Sequence, residues 1–213
     1  MRPVEIRSYV ANGSAKFRKT SERLGGLSNM APGFPLEVNG IRIKTSEALY
    51  QACRFPDLPD VQRMIIEEAS PMTAKMKSKP YRDQSRQDWD LVRARIMRWC
   101  LRVKLAQNWE RFGALLLETD GQPIVEESLK DDFWGAIPSV DGHLVGRNVL
   151  GRLLMELREL LRAPGSESLR RVEPPHVRRC LLYGQPVVTV EGGAKLAAAS
   201  GGPMAAIATS RLG

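Results

Sequence analysis

"DWDLVRARIMRWCLRVKLAQN", residues 88–108, places Trp89, Val92, Ile96, Trp99 and Val103 at spacings of three and four. That period puts all five on one face of an α-helix and predicts a long helix with a buried stripe. Helical signals extend outward from it. "WERFGALLLET" follows at 109–119, and "DVQRMIIEEA" and "PMTAKMKSK" precede it as two short helices, the second with Pro71 at its start. "TSEALYQACRF", residues 45–55, reads as a helix with Ser46 as N-cap, Leu49 and Cys53 on one face and Pro56 as its stop. "NVLGRLLMELRELLR" closes the helical region at Arg162. Extended signals are fewer. Residues 4–10 and "FPLEVNGIRIK" at 34–44 read as strands, the latter turning at Asn39-Gly40. "QPIVEES" gives a short strand after Asp120-Gly121, and "DDFWGAIPSVDGHLVGRN" is too rich in Gly, Pro and Asp to be regular. The expected fold is α+β: a mainly α-helical single domain over residues 1–162 with a small N-terminal β-sheet. Residues 163–213, with Pro174-Pro175 and a bland Gly/Ala-rich end, are expected to form an appendage, partly flexible.

The 213 residues carry a formal charge of +8, from 32 Lys and Arg against 24 Asp and Glu. Such a balance favours an anionic partner, although acids are interleaved with the bases along most of the chain. Cys53, Cys100 and Cys180 are widely separated and lack CxxC spacing, which gives neither a disulfide framework nor a zinc site. With two histidines, His143 and His176, a His-rich metal centre is not expected. No apolar run is long enough to span a membrane and the first residues lack a signal-peptide centre, so a soluble, cytoplasmic protein without membrane association is expected. Neither a metal nor a cofactor is called for.

Several stretches carry polar groups in positions suited to chemistry. Glu47 lies in the first turn of its helix, where the dipole favours an ionised carboxylate, and Tyr50 and Gln51 share its face. First-turn glutamates are also common for purely structural reasons. "GGLSNMAPG" is a loop whose small residues and Asn29 suit close approach to a phosphate, though it is not a P-loop. "IVEESLKDDFWG" sets Glu126, Glu127, Asp131 and Asp132 beside Trp134, an arrangement for acid–base work with a stacking platform. Lys104 is either a snorkelling helix residue, a phosphate contact or, with a lowered pKa, an imine-forming nucleophile. Asn148 looks like a helix N-cap, and Gly151 permits close approach.

In order, "GGLSNMAPGFPLEVNG", "TSEALYQACRF", "SPMTAK", the 88–108 helix, "LLLET", "IVEESLKDDFWG" and "GRNVLGRLLMELREL" resemble the NADAR family, which includes the bacterial YbiA proteins. The resemblance spans about residues 17–162 and implies a YbiA-like fold and an enzyme that hydrolyses ribosyl N-glycosidic bonds. It implies Glu47 as the family's acid, with Asp131 as partner acid or base and Lys104 at the lysine of the AKF-like block. Tyr50 and Trp134 would stack on the base. Ser28, Asn29, Arg147, Asn148 and Gly151 would meet phosphates and ribose hydroxyls. Ala48, Leu49 and Arg54 depart from the usual SEHxxQAxKF pattern, and Ser78-Lys79 replaces a common Gly-Arg pair. The block "SEALYQACRFP" is more like members associated with DNA ADP-ribosylation, so the implied substrate is ADP-ribosylated guanine in DNA, and the implied role is antitoxin to a DarT-type ADP-ribosyltransferase. The alternatives are hydrolysis of ribosyl-phosphate small molecules, namely phosphoribosylated riboflavin-pathway intermediates, and a non-catalytic module that binds ADP-ribose or DNA.

Overall fold

A computed structural model describes residues 5–68 and 70–193. In chain order its elements are β1 (Arg7–Val10), β2 (Ala15–Phe17), β3 (Leu36–Val38), β4 (Ile41–Ile43), α1 (Ser46–Ala52), α2 (Pro59–Glu67) and α3 (Pro71–Ser78). After them come α4 (Trp89–Gln107), α5 (Trp109–Glu118), β5 (Ile124–Glu126), β6 (Ile137–Pro138), β7 (His143–Gly146) and α6 (Val149–Arg162). Four two-residue strands complete the described chain: β8 (Arg171–Val172), β9 (Leu181–Leu182), β10 (Gln185–Pro186) and β11 (Val190–Glu191). The class is the expected α+β.

The long helix α4 is the axis of the core. All five residues of its apolar stripe are buried, and α1, α5 and α6 pack around it. Burying a large apolar side chain stabilises by roughly 1.5–3 kcal/mol, so this stripe contributes substantially to the fold. β3 and β4 form the expected hairpin, Leu36 opposite Ile43, through Asn39 and Gly40 at φ 53° and 72°. Two successive left-handed residues match the twist of the flanking strands.

Residues 131–148 are more regular than their composition suggests. β6 and β7 pair with each other and β7 pairs antiparallel with β1, Tyr9 opposite Leu144. The pairing buries Tyr9, Val125, Ala136 and Leu144 in a small second core. Glycine and proline mask these two strands, and the partner of β7 lies more than 130 residues earlier in the chain. β2 runs parallel to β5, with Phe17 in register with Glu126. The N-cap of α1 is also shifted by one residue. Thr45 Oγ1 accepts from Ala48 N at 3.2 Å, while Ser46 Oγ donates to the carbonyl of Asn29 at 3.0 Å.

The segment after α6 packs onto the domain as far as it is described. β8 pairs with β11, and Val172, Leu182, Val187 and Val190 join the main core. Fully buried Gln62 ties it down, donating to Ala52 O at 3.1 Å and Leu181 O at 2.9 Å while accepting from Tyr183 N at 2.7 Å. The flexible end expected in this region falls on residues 194–213, outside the described residues. Cys53, Cys100 and Cys180 are all free and meet where α1, α4 and this segment pack, and burial pushes the Cys180 thiol up to about 12. No described helix is long and apolar enough to cross a membrane.

Candidate active site

A cavity of about 600 Å³ opens between α1, α3, α4, the end of β5 and the 128–134 loop. Its floor is set by α1. Glu47, Tyr50 and Gln51 stand at i, i+3 and i+4 and therefore face one way, and Arg54 continues the row one turn on. The 25–30 loop closes against the start of this helix, because Asn29 O accepts both the Glu47 N–H at 2.9 Å and the Ser46 hydroxyl. Asn29 Nδ2 in turn donates to one oxygen of the Glu47 carboxylate, and Gln51 Nε2 donates to the other at 2.8 Å.

Glu47 is 4% exposed. Burial raises its pKa above the ordinary carboxylate value, with the Gln51 hydrogen bond, the Lys75 charge and the Asn29 hydrogen bond opposing. Burial therefore overrides the helix-dipole effect expected from the sequence. Two amide donors on two oxygens nonetheless form a cradle made for the anion. Glu126, at the end of β5 and half-buried in the cavity wall, has no side-chain donor among the described residues. Burial, then the nearby charges of Asp131 and Glu47, push its pKa up to about 7 against the pull of Lys75. The cavity thus holds two carboxylates in contrasting surroundings: one hydrogen-bonded as an acceptor, one bare and readily protonated.

Aromatic rings line the side nearest α4. Tyr50 lies 5.0 Å from Trp89 and 5.5 Å from Trp134, the second contact edge to face, and Trp134 packs 5.0 Å from Phe133. Burial and the neighbouring Glu47 hold the Tyr50 phenol well above its usual range, so it stays neutral. Arg54 lies over Trp89 at 5.1 Å and Arg93 over Phe133 at 3.7 Å. Arg18, Lys75, Arg82 and Lys130 add further cations to the rim. The Asp131 carboxylate is exposed at the cavity edge, and its Oδ1 accepts from the N–H groups of Phe133 and Trp134, both at 2.9 Å. It shapes the turn that presents Trp134.

Five of the ten residues singled out from the sequence therefore meet on one cavity: Asn29, Glu47, Tyr50, Asp131 and Trp134. The other five lie behind or beside it. Ser28 is buried, its hydroxyl accepting from Met30 N at 3.2 Å. Arg147 leaves the cavity to pair with Asp132, 3.2 Å from each carboxylate oxygen. Asn148 is fully buried in the left-handed region, φ 46°, and its side chain caps no helix. Instead its Nδ2 donates to Ile124 O at 2.9 Å and its Oδ1 accepts from Glu126 N at 3.2 Å, which clamps the strand that carries Glu126.

Gly151 serves the same contact. A Cβ there would stand 2.1 Å from Ile124 O and 2.5 Å from Asn148 Oδ1. Gly151→Ala must push β5 away from α6, and overpacking of this kind costs about 1–3 kcal/mol. The expected outcome is a lower Tm together with a fall in kcat measured far below that Tm, since Glu126 moves with the strand; unchanged kcat would separate Gly151 from the site.

Lys104 is fully buried and does not face the cavity. Its Nζ donates to Gly26 O at 2.7 Å and Ser28 O at 2.9 Å and lies 4.5 Å and 4.3 Å from the ring centroids of Phe34 and Phe112. Burial drives its pKa well below the ordinary lysine value. In this position it holds the loop that carries Asn29. Lys104→Met is expected to lower stability by about 1–3 kcal/mol, as two carbonyls lose their donor, while hydrolysis persists within about tenfold. Borohydride capture of a sugar adduct on Lys104 during turnover would contradict this placement.

From the sequence, Glu126 is one of four acids grouped in "IVEESLKDDFWG" and none of them is singled out by position, while Gln51 and the cations Arg18, Lys75, Arg82 and Arg93 have no site role. For Glu126 the missing information is the β2–β5 pairing, which no local pattern encodes. Gln51 was visible at i+4 from Glu47, but its donation to the carboxylate was not. Among the described residues no group of three His, Cys, Asp or Glu is disposed to hold a metal ion.

The fold and cavity define a small α+β protein built around two buried or half-buried glutamates. The chain belongs to the NADAR family, whose domain profile matches residues 16–162. N-glycosidase YbiA of Escherichia coli (strain K12) is 36% identical over 161 residues, 76% of this chain and 96% of that protein. Riboflavin biosynthesis protein VVA0006 of Vibrio vulnificus is 35% identical over 157 residues, 74% of this chain and 41% of that protein. The NMR structure of the E. coli protein YbiA superposes with a TM-score of 0.59 at 34% identity, covering 75% of this chain and 93% of that one.

Proposed function

We propose that this protein is an N-glycosidase that hydrolyses the bond between ribose and a base, with ADP-ribosylated guanine in DNA as its substrate. The observation that carries the reading is the pair of cavity carboxylates with divided roles. As the ribosyl C–N bond breaks, C1′ gains oxocarbenium character and the bond electrons pass to the base nitrogen. Glu47, cradled by Asn29 and Gln51, supplies the anion that stabilises C1′ and orients water. Glu126, protonated near neutrality, gives its proton to the departing nitrogen and takes one back from the attacking water. Asp131, the partner acid or base that the resemblance implies, takes a supporting part in this reading: its charge adds to burial in favouring the protonated Glu126, and its carboxylate orders the turn of Trp134. Tyr50, Trp89 and Trp134 offer faces to the base, and the arginines and Lys75 offer charge to the diphosphate.

A net charge of +8 supports a DNA-borne substrate, and with it a role as antitoxin to a DarT-type ADP-ribosyltransferase. The name of the Vibrio relative favours a second reading, in which the substrate is a phosphoribosylated riboflavin-pathway intermediate. The deciding experiment incubates the protein with an oligonucleotide bearing ADP-ribosylated guanine and, separately, with such intermediates, and weighs the products. Loss of the ADP-ribose mass from the oligonucleotide supports the first reading; cleavage of the small molecules alone supports the second. Tight binding of the modified oligonucleotide with no cleavage would make the protein a non-catalytic ADP-ribose reader.

A further inference from the structure

A second hollow of about 400 Å³ adjoins the active-site cavity and shares Arg18 and Glu127 with it. Its walls are β2 and the turn that follows. β2 buries Ala15 and Phe17, so Lys16 and Arg18 are turned outward, and both reach Glu127, at 3.8 and 3.9 Å. Lys19 and Arg23 extend the same wall, and all four cations are exposed. Across β2, Phe17 is in register with Glu126 on β5, so this wall begins one strand spacing, about 4.8 Å, from the strand that carries the acid.

Three of the four cations here are weakly committed. Arg23 is bound to Glu118, but Lys16 and Arg18 share Glu127 through long contacts, and Lys19 makes no ion pair among the described residues. The cleft between α4 and residues 168–176 differs in this respect. It also holds four arginines, but Arg98 is bound to Glu156, Arg171 to Glu173 and Glu191, and Arg95 to the carbonyl of His176. A ligand the size of ADP-ribose is accommodated by the main cavity alone, since sites for such molecules run to about 300–1,000 Å³. A basic hollow adjoining it suits a substrate that continues beyond the reacting nucleotide.

We infer that this hollow carries the nucleic-acid strand flanking the modified base, with Lys16, Arg18 and Lys19 against its phosphates. The inference rests on the DNA reading of the active site and specifies how that site engages a polymer. Phosphate contacts of this kind position the strand without reading sequence.

The test uses the full chain and a Lys16→Gln/Lys19→Gln variant, neither residue lining the catalytic cavity. Three probes are compared: an unmodified fluorescent single-stranded oligodeoxynucleotide, the same oligonucleotide with one ADP-ribosylated guanine, and ADP-ribosylated guanosine as a free nucleoside. The variant is expected to bind the unmodified strand at least tenfold more weakly. The slope of log affinity against log salt should fall by about 1.4, since each phosphate contact to a single strand contributes about 0.7. Cleavage of the modified oligonucleotide should fall in parallel, with nucleoside cleavage within twofold of the parent. Unchanged strand binding and an unchanged salt slope would overturn the groove while leaving the active-site reading intact. A salt-dependent loss of strand binding in the variant, with neither adduct cleaved by the parent protein, would uphold the groove and overturn the reading of the substrate.

Discussion

Glu47→Gln is expected to lower kcat by roughly a thousandfold while leaving the fold intact. The size follows from removing a preorganised charge at the reacting carbon, where losses of about 10²–10³ are typical, together with the loss of water orientation. The substitution keeps the side chain's shape, and its new N–H group is accepted once whichever of the Asn29 and Gln51 amides faces it turns its oxygen inward. It also removes a carboxylate whose ionisation burial opposes, so the Tm should not fall. A parallel loss of kcat and Tm would instead mark Glu47 as a structural residue. Near-normal hydrolysis by Glu47→Gln would remove it from the chemistry altogether.

Glu126→Gln is expected to cost roughly a hundredfold in kcat at pH 6, where the parent carboxyl is protonated and acts as the acid. The deficit should narrow as pH rises past about 7, because the parent itself then loses the proton. Stability supplies a second signature. Glu126 is raised from 4.5 in the ordinary state to about 7 in the fold, so the folded chain holds this proton more tightly than the unfolded one. Its contribution to stability is therefore fully present below pH 4.5 and is lost as pH rises through 7. Glutamine cannot ionise, and the Tm difference in favour of Glu126→Gln should grow from pH 5 to pH 8. A constant difference across that range would mean that Glu126 titrates normally.

Much of this arrangement is legible wherever it rests on local periodicity. The three-and-four spacing of Trp89, Val92, Ile96, Trp99 and Val103 foretells α4 and its buried stripe. Asn39-Gly40 foretells the β3–β4 hairpin, and Glu47 with Tyr50 and Gln51 at one helical turn foretells the polar face of α1. What is not legible depends on contacts distant in sequence. The pairing of β7 with β1 hides inside a Gly- and Pro-rich run. The register of Phe17 with Glu126 sets Glu126 in the cavity wall, yet it joins segments more than 100 residues apart. Lys104 reads as a lysine that should reach solvent, and it is buried because two backbone carbonyls and two aromatic faces replace water around its amine. Asn148 reads as a helix cap, but a left-handed backbone turns its amide toward β5. The residues carrying the family likeness are thus identifiable, while the division between those that line the cavity and those that hold them in place requires the fold.

The most direct measurement of the central claim is kcat/KM against pH from 5 to 9 for the parent and Glu126→Gln on the substrate that the parent cleaves. With Glu47 as anion and Glu126 as acid, the parent's kcat/KM falls above about pH 7, approaching tenfold per pH unit, and Glu126→Gln shows a lower, flat profile over that limb. An alkaline limb that persists unchanged in Glu126→Gln would contradict the assignment of the acid and with it the division of labour between the two carboxylates.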